Sequence, residues 1–104
     1  MKTLFRPEFW IDLEKGVAYL AANASVQTAK ARHDNVLATV RLISDHPGIG
    51  RSRKHLEPDG VRSFRLGKFP KYLVFYRVTD TGLEFFRVKH GMMNLPILFG
   101  EKPL

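Results

Sequence analysis

Apolar positions recur along the first half of the chain at helical spacing and along the second half at strand spacing. Phe9, Leu13, Val17 and Leu20, joined by Trp10 and Ala21, repeat every three or four residues. This is the stripe of an amphipathic helix, with Trp10, Phe9 and Leu13 read as core. Pro7 suits its first position, where the missing N–H costs nothing. Glu8, Asp12 and Glu14 lie near its positive end. Gly16 inside the helix is costly and marks close approach by another helix. Asn23-Ala24-Ser25 breaks the pattern, and Ser25 is placed to cap a new helix. A second stripe, Ala29, Val36, Leu37, Val40 and Ile43, predicts that helix, with Lys30, Arg32 and Asp34 on its polar side. His46-Pro47-Gly48 ends it. The two helices form a hairpin.

The remaining runs are short and rich in Val, Phe, Tyr and Leu. Lys2–Arg6 is a strand candidate at the N-terminus. Val61–Leu66, Tyr72–Val78 and Leu83–His90 read as consecutive antiparallel strands. Thr79-Asp80-Thr81-Gly82 is a hairpin turn in which Gly82 can take positive φ. A four-residue loop there sets Arg77 opposite Glu84. Strict alternation then puts Leu73, Phe75, Phe86 and Val88 on the face of that pair. Tyr72, Val74, Tyr76 and Phe85 share the other face with Arg87 and Lys89. Both faces are substantially apolar, and a helical hairpin covers only one. The other needs a cover, either the tail Leu95-Pro96-Ile97-Leu98-Phe99 or a separate chain. The predicted architecture is α+β, ordered βααβββ. The helical hairpin packs on one face of a small twisted antiparallel sheet.

Length and composition narrow the class. The 104 residues make one domain, 1–104, with no repeat, low-complexity tract or linker. Apolar content of 44% indicates a folded core rather than a disordered tail. Without cysteine there are no disulfides or thiolate metal sites, which fits a reducing compartment. Arg6, Pro7 and Glu8 interrupt the N-terminus where a signal peptide needs an apolar run. No segment is long enough to span a bilayer, so a cytoplasmic protein without membrane contact is expected.

The net charge of +7 sits almost wholly in one segment. Residues 51–90 hold ten Lys/Arg against four Asp/Glu, a net of +6, whereas residues 1–50 hold six against five. Such a field draws acidic polypeptides or nucleic acid and speeds encounter with them. Arg51, Arg53 and Lys54 are read as mobile steering charge. The strand cations Arg62, Arg65, Arg77, Arg87 and Lys89, with His90 at the strand end, are the candidates for partner or target contact. The competing reading pairs them with Glu57, Asp59 or Glu84 and stacks them on Phe and Tyr. His33, His46 and His55 lack metal-ligand spacing, and neither metal nor cofactor is expected. His90 before glycine serves a structural role, bonding backbone at the turn, or an acid–base role.

The element order, the helix end HPGIG and the run VRSFRLGKFPKYLVFYRVTDTGLEFFRVKHG resemble the small toxins of the RelE/ParE superfamily, in particular the ParE branch. There a VRS strand, an FYR strand and an RV-x-HG ending recur in this order. The resemblance implies a toxin of a type II toxin–antitoxin pair. Its partner is then a ParD-like antitoxin in a hetero-oligomer, and its target DNA gyrase, inhibited by binding. Direct contact with nucleic acid is secondary. The RelE branch implies the alternative, a ribosome-dependent messenger-RNA nuclease, for which His90, Arg65 and Glu57 are the candidate catalytic residues. The chain departs from the ParE pattern after Gly91. Met92-Met93-Asn94 stands where a small residue and Arg-Asp are usual, which keeps a non-toxic basic interaction module as a third reading.

Overall fold

A computed structural model describes residues 2–91. Its elements are β1 (Lys2–Phe5), α1 (Pro7–Asn23), α2 (Val26–Asp45), β2 (Arg51–Ser52), β3 (Arg62–Arg65), β4 (Tyr72–Val78) and β5 (Gly82–His90), with a 3₁₀ turn at Pro47–Ile49. The helices start and stop where side chains dictate. Pro7 opens α1. The Ser25 hydroxyl accepts from the Thr28 N–H and caps α2. Helix α2 ends at Asp45, before His46-Pro47.

The five described strands form one sheet in the order β1-β5-β4-β3-β2. The sheet is mixed, which corrects the antiparallel expectation. β1 runs parallel to β5, pairing Lys2 with Gly82 and Phe5 with Phe85. A two-residue strand within the basic loop, β2, also extends the sheet beyond β3. Gly82 is required by this junction rather than by positive φ, which among the described residues only Gly60 adopts. A Cβ on Gly82 would overlap the Lys2 carbonyl oxygen.

The helical hairpin covers one face of the sheet. Phe9 and Leu13 of α1 and Val36 and Ile43 of α2 pack with Leu66, Val74, Tyr76, Leu83, Phe85 and Val88. Each such side chain contributes about 1.5–3 kcal/mol when fully buried. The buried Tyr76 hydroxyl accepts from the Gly50 N–H at 2.9 Å and donates to the Pro47 carbonyl at 2.7 Å. This fastens the PGIG turn to the sheet. Trp10, expected inside, is 41% exposed, and Leu37 is also on the surface.

The outer face has its own cover among the described residues. Arg53 N–H bonds the Val61 carbonyl and closes the loop between them. Leu56 and Val61 from that loop pack on Phe75, Phe86 and Leu73. The cover expected at Leu95–Phe99 lies outside the described residues.

One irregularity corrects the facing assignment. The β4–β5 hairpin closes with reciprocal Thr79–Gly82 hydrogen bonds and sets Arg77 opposite Glu84, as alternation predicts. Tyr76 then pairs with Phe85, but Phe75 pairs with Arg87, leaving Phe86 as an extra residue. Beyond this bulge the faces exchange. Val88 joins the helix-side core, while Arg87 and Lys89 pass to the outer side.

Gly82→Ala is expected to lose about 1–3 kcal/mol through overpacking of the β1–β5 junction. Gly48→Ala, where nothing lies within 4 Å of the added carbon, is expected to stay within about 0.5 kcal/mol of the parent. Urea denaturation of both variants measures the difference.

Candidate partner interface

Asp12 is the polar centre of the molecule. It occupies the stripe of α1 between Phe9 and Leu13, and all three are buried. Strand β1 covers β5 only as far as Phe85, so among the described residues the rest of that edge has no neighbouring strand. The Asp12 carboxylate serves that edge instead. It accepts from the Val88 N–H at 3.1 Å, from Arg87 Nε and Nη2 at 2.8 and 3.0 Å, and from Lys89 Nζ at 3.0 Å. Burial pushes the Asp12 carboxyl up. The hydrogen bonds from Arg87, Lys89 and Val88 and the Arg87 charge outweigh it and hold the group below its ordinary range. Arg87 is raised in turn by its bonds to Asp12.

A second ionic group frames the outer face. Glu84 accepts from Arg6 Nε at 2.7 Å and from Arg77 Nε at 2.8 Å. Both guanidinium groups flank the Phe86 ring, 5.1 and 5.9 Å from its centroid. Desolvation raises the Glu84 carboxyl, but the two arginines lower it further.

Arg32 is the least expected cation. It belongs to the buried stripe Ala29, Arg32, Val36, Thr39, Ile43 of α2, not to the polar side, and is only 2% exposed. Its guanidinium carbon stands 4.2 Å from the Tyr72 ring centroid. Gly16 of α1 makes room for it, since a Cβ there would overlap Arg32 Nη1. The close approach expected at Gly16 is therefore that of one guanidinium. Burial lowers the Arg32 pKa.

Most candidate cations are committed to these internal contacts. Arg62 donates to the Gly50 carbonyl at 2.8 Å and braces the PGIG turn. Arg77 pairs with Glu84, and Arg87 and Lys89 share Asp12. Arg53 is engaged rather than free in solvent. Its Nε donates to Ser63 Oγ at 2.8 Å, and burial, with Arg51 nearby, lowers its pKa. Arg65 is exposed at the end of β3, and its side chain makes no hydrogen bond or ion pair among the described residues. His90 packs edge-on against Tyr72. By register, Arg65 shares a face with Leu73 and Lys89, whereas His90 shares the opposite face with Tyr72. Glu57 is exposed in the loop before β3. Asp12 and Arg32 are not among the site residues expected from the sequence. Helical counting finds both, because each falls on an apolar stripe at i+3 from a buried neighbour.

Charge is only part of the exposed surface. Leu4, Trp10, Ile11 and Tyr19 on β1 and α1 are 41–62% exposed. Among the described residues no three His, Asp or Glu side chains converge as a metal site. No described helix is long and apolar enough to cross a membrane.

Comparison with known proteins decides the family. A sequence model of the ParE toxin of type II toxin–antitoxin systems, parDE, matches residues 4–95. The chain belongs to the ParE toxin family. It is 32% identical over 83 residues to toxin ParE1 of Caulobacter vibrioides, covering 80% of this chain and 81% of that protein. It superposes on a chain of the chromosomal ParDE system from P. aeruginosa with a TM-score of 0.72 at 17% identity, over 86% of this chain and 95% of the other. That structural match concerns the fold. The chain is thus a ParE-type toxin of a toxin–antitoxin system. The ParE departure at Met92–Asn94 lies outside the described residues.

Asp12→Asn is expected to cost this ParE protein about 2–3 kcal/mol. That figure is discounted from the buried-pair range because Arg87 and Lys89 keep some solvent contact. The sign with pH is set by the lowered carboxyl. Its contribution is complete above the ordinary value of 3.8 and is lost as pH falls through the lower folded-state value. Chemical denaturation at a series of pH values should show a steeper acid decline in the parent than in Asp12→Asn.

Proposed function

We propose that this ParE toxin acts by binding, poisoning DNA gyrase in the cytoplasm, and that a ParD-like antitoxin silences it in a hetero-oligomer. The observation that carries the binding mechanism is the commitment of the strand cations. A nuclease needs a base, an acid and free cations converging on one phosphate. Here Arg87 and Lys89 serve Asp12, Arg77 serves Glu84, and Arg62 serves a backbone carbonyl. Arg65 and His90 project from opposite faces of the sheet. Gyrase as target and ParD as partner are supported by membership of the ParE family.

The antitoxin is assigned to the apolar surface of β1 and α1. Leu4, Trp10, Ile11 and Tyr19 give it anchors on two adjoining elements. A net charge of +7 favours an acidic segment as the covering chain.

Expression in bacteria is expected to cause filamentation and a DNA-damage response while translation continues. The purified chain is expected to inhibit gyrase supercoiling. His90→Ala should change that inhibition by less than about threefold, because an acid–base residue would be worth about 10²–10⁴-fold. Immediate arrest of translation with cut messages, abolished by His90→Ala, would establish the nuclease instead.

A further inference from the structure

We propose that the cleft between α1, α2 and the ends of β4 and β5 is a carboxylate-binding site organised by Arg32, and that it takes an acidic side chain of a partner polypeptide. The cleft has a volume of about 420 Å³, and Lys15, Tyr19, Arg32, Tyr72, Lys89 and His90 contribute to its walls. Arg32 is its buried component. Among the described residues its Nε and Nη1 have no hydrogen-bond partner, although the residue is 2% exposed. A guanidinium has five N–H donors and no acceptor. The cation–π contact with Tyr72 supplies no acceptor oxygen to Nε or Nη1. Leaving such donors buried and unpaired is costly, and an anion offsets that cost.

The shape of the site is set before any ligand arrives. Gly16 admits the guanidinium beside the α1 backbone, and Tyr72 supports it from the sheet. Lys15 stands on the cleft wall, while Lys89 is already drawn toward Asp12. Three cations thus line a cleft that contains one carboxylate.

Geometry rather than net charge selects the class of anion, because Lys15, Arg32 and Lys89 outnumber the Asp12 carboxylate and attract any anion. A planar carboxylate matches two parallel guanidinium donors. Tyr19, Tyr72 and Val88 offer apolar walls for the stem of a Glu or Asp side chain. This inference rests on the antitoxin reading for the physiological source of the carboxylate. The chemistry of the site is testable on the chain alone.

The test titrates the isotope-labelled chain with acetyl- and amide-capped hexaglutamate at constant ionic strength, which holds screening fixed. The Arg32 Nε–H resonance reports the site directly. It is expected to move saturably, with the amides of Lys15 and Tyr19. Arg32→Met should weaken binding by about tenfold or more, the worth of a charge-assisted hydrogen bond. Lys54→Ser, which removes one exposed charge from the basic loop, should weaken it less than about threefold by comparison. If Arg32→Met does not fold, Lys15→Ser on the cleft wall is used. It should weaken binding more than Lys54→Ser does while the Arg32 resonance still moves. An unmoved Arg32 signal overturns the proposal, as does equal weakening by the cleft and loop variants. Inorganic phosphate binding at Arg32 as tightly as hexaglutamate overturns the carboxylate assignment. A harmless chain that binds hexaglutamate at Arg32 would sink the toxin reading and leave the site standing. A toxic chain with an unmoved Arg32 signal would do the reverse.

Discussion

One buried carboxylate joins the helical layer to the sheet. Asp12 stands where β1 ends and β5 continues, and it satisfies the Val88 backbone N–H beyond the reach of β1. In doing so it gathers Arg87 and Lys89. The apolar cluster beneath the helices supplies far more free energy in total, but burial is non-directional and tolerates sliding. The Asp12 bonds are directional and fix α1 against one position of β5. The Phe86 bulge belongs to the same arrangement. Without it, alternation would put Arg87 and Lys89 into the core and turn Val88 outward. Burying two cations costs several kcal/mol each, more than one disrupted ladder position. The extra residue is the less costly solution.

Much of this architecture is legible locally. The helical hairpin, its Ser25 cap, the end at His46-Pro47 and the Arg77–Glu84 pair depend on residues close in sequence or joined by a tight turn. The features that are not legible depend on distant partners. Nothing in Lys2–Phe5 names Gly82–Phe85 as its parallel neighbour. The bulge lies in Phe85-Phe86-Arg87 and has no glycine to mark it. At the site, the difficulty is one of period. Lys30, Arg32 and Asp34 look like one polar face when read in twos, but counting in threes and fours from Ala29 turns Arg32 inward. Asp12 reads as a partner of the helix dipole, although Phe9 and Leu13 already place it on the buried stripe.

The charge distribution acquires a different meaning once these contacts are known. The excess of cations on residues 51–90 is not a uniform contact surface. Part of it is consumed in holding strands and turns in place, as at Arg53, Arg62, Arg77 and Arg87. The field they create still reaches solvent and favours acidic partners, even where the groups themselves are occupied. In the proposed mode of recognition, long-range attraction by many charges is separate from close contact by few. The surfaces proposed for close contact are the apolar residues of β1 and α1 and the cleft beside Arg32.

The parallel seat of β1 also bears on how the chain is made. Its four residues are made before their hydrogen-bonding neighbour, which lies some eighty positions later in the chain. The helical hairpin can form early, because its contacts are local. Strand β1 must wait until β5 has been made. A prematurely terminated product lacks both the rail on which that strand lies and the Val88 amide that Asp12 secures. Chains truncated before β5 are thus left with an open seam.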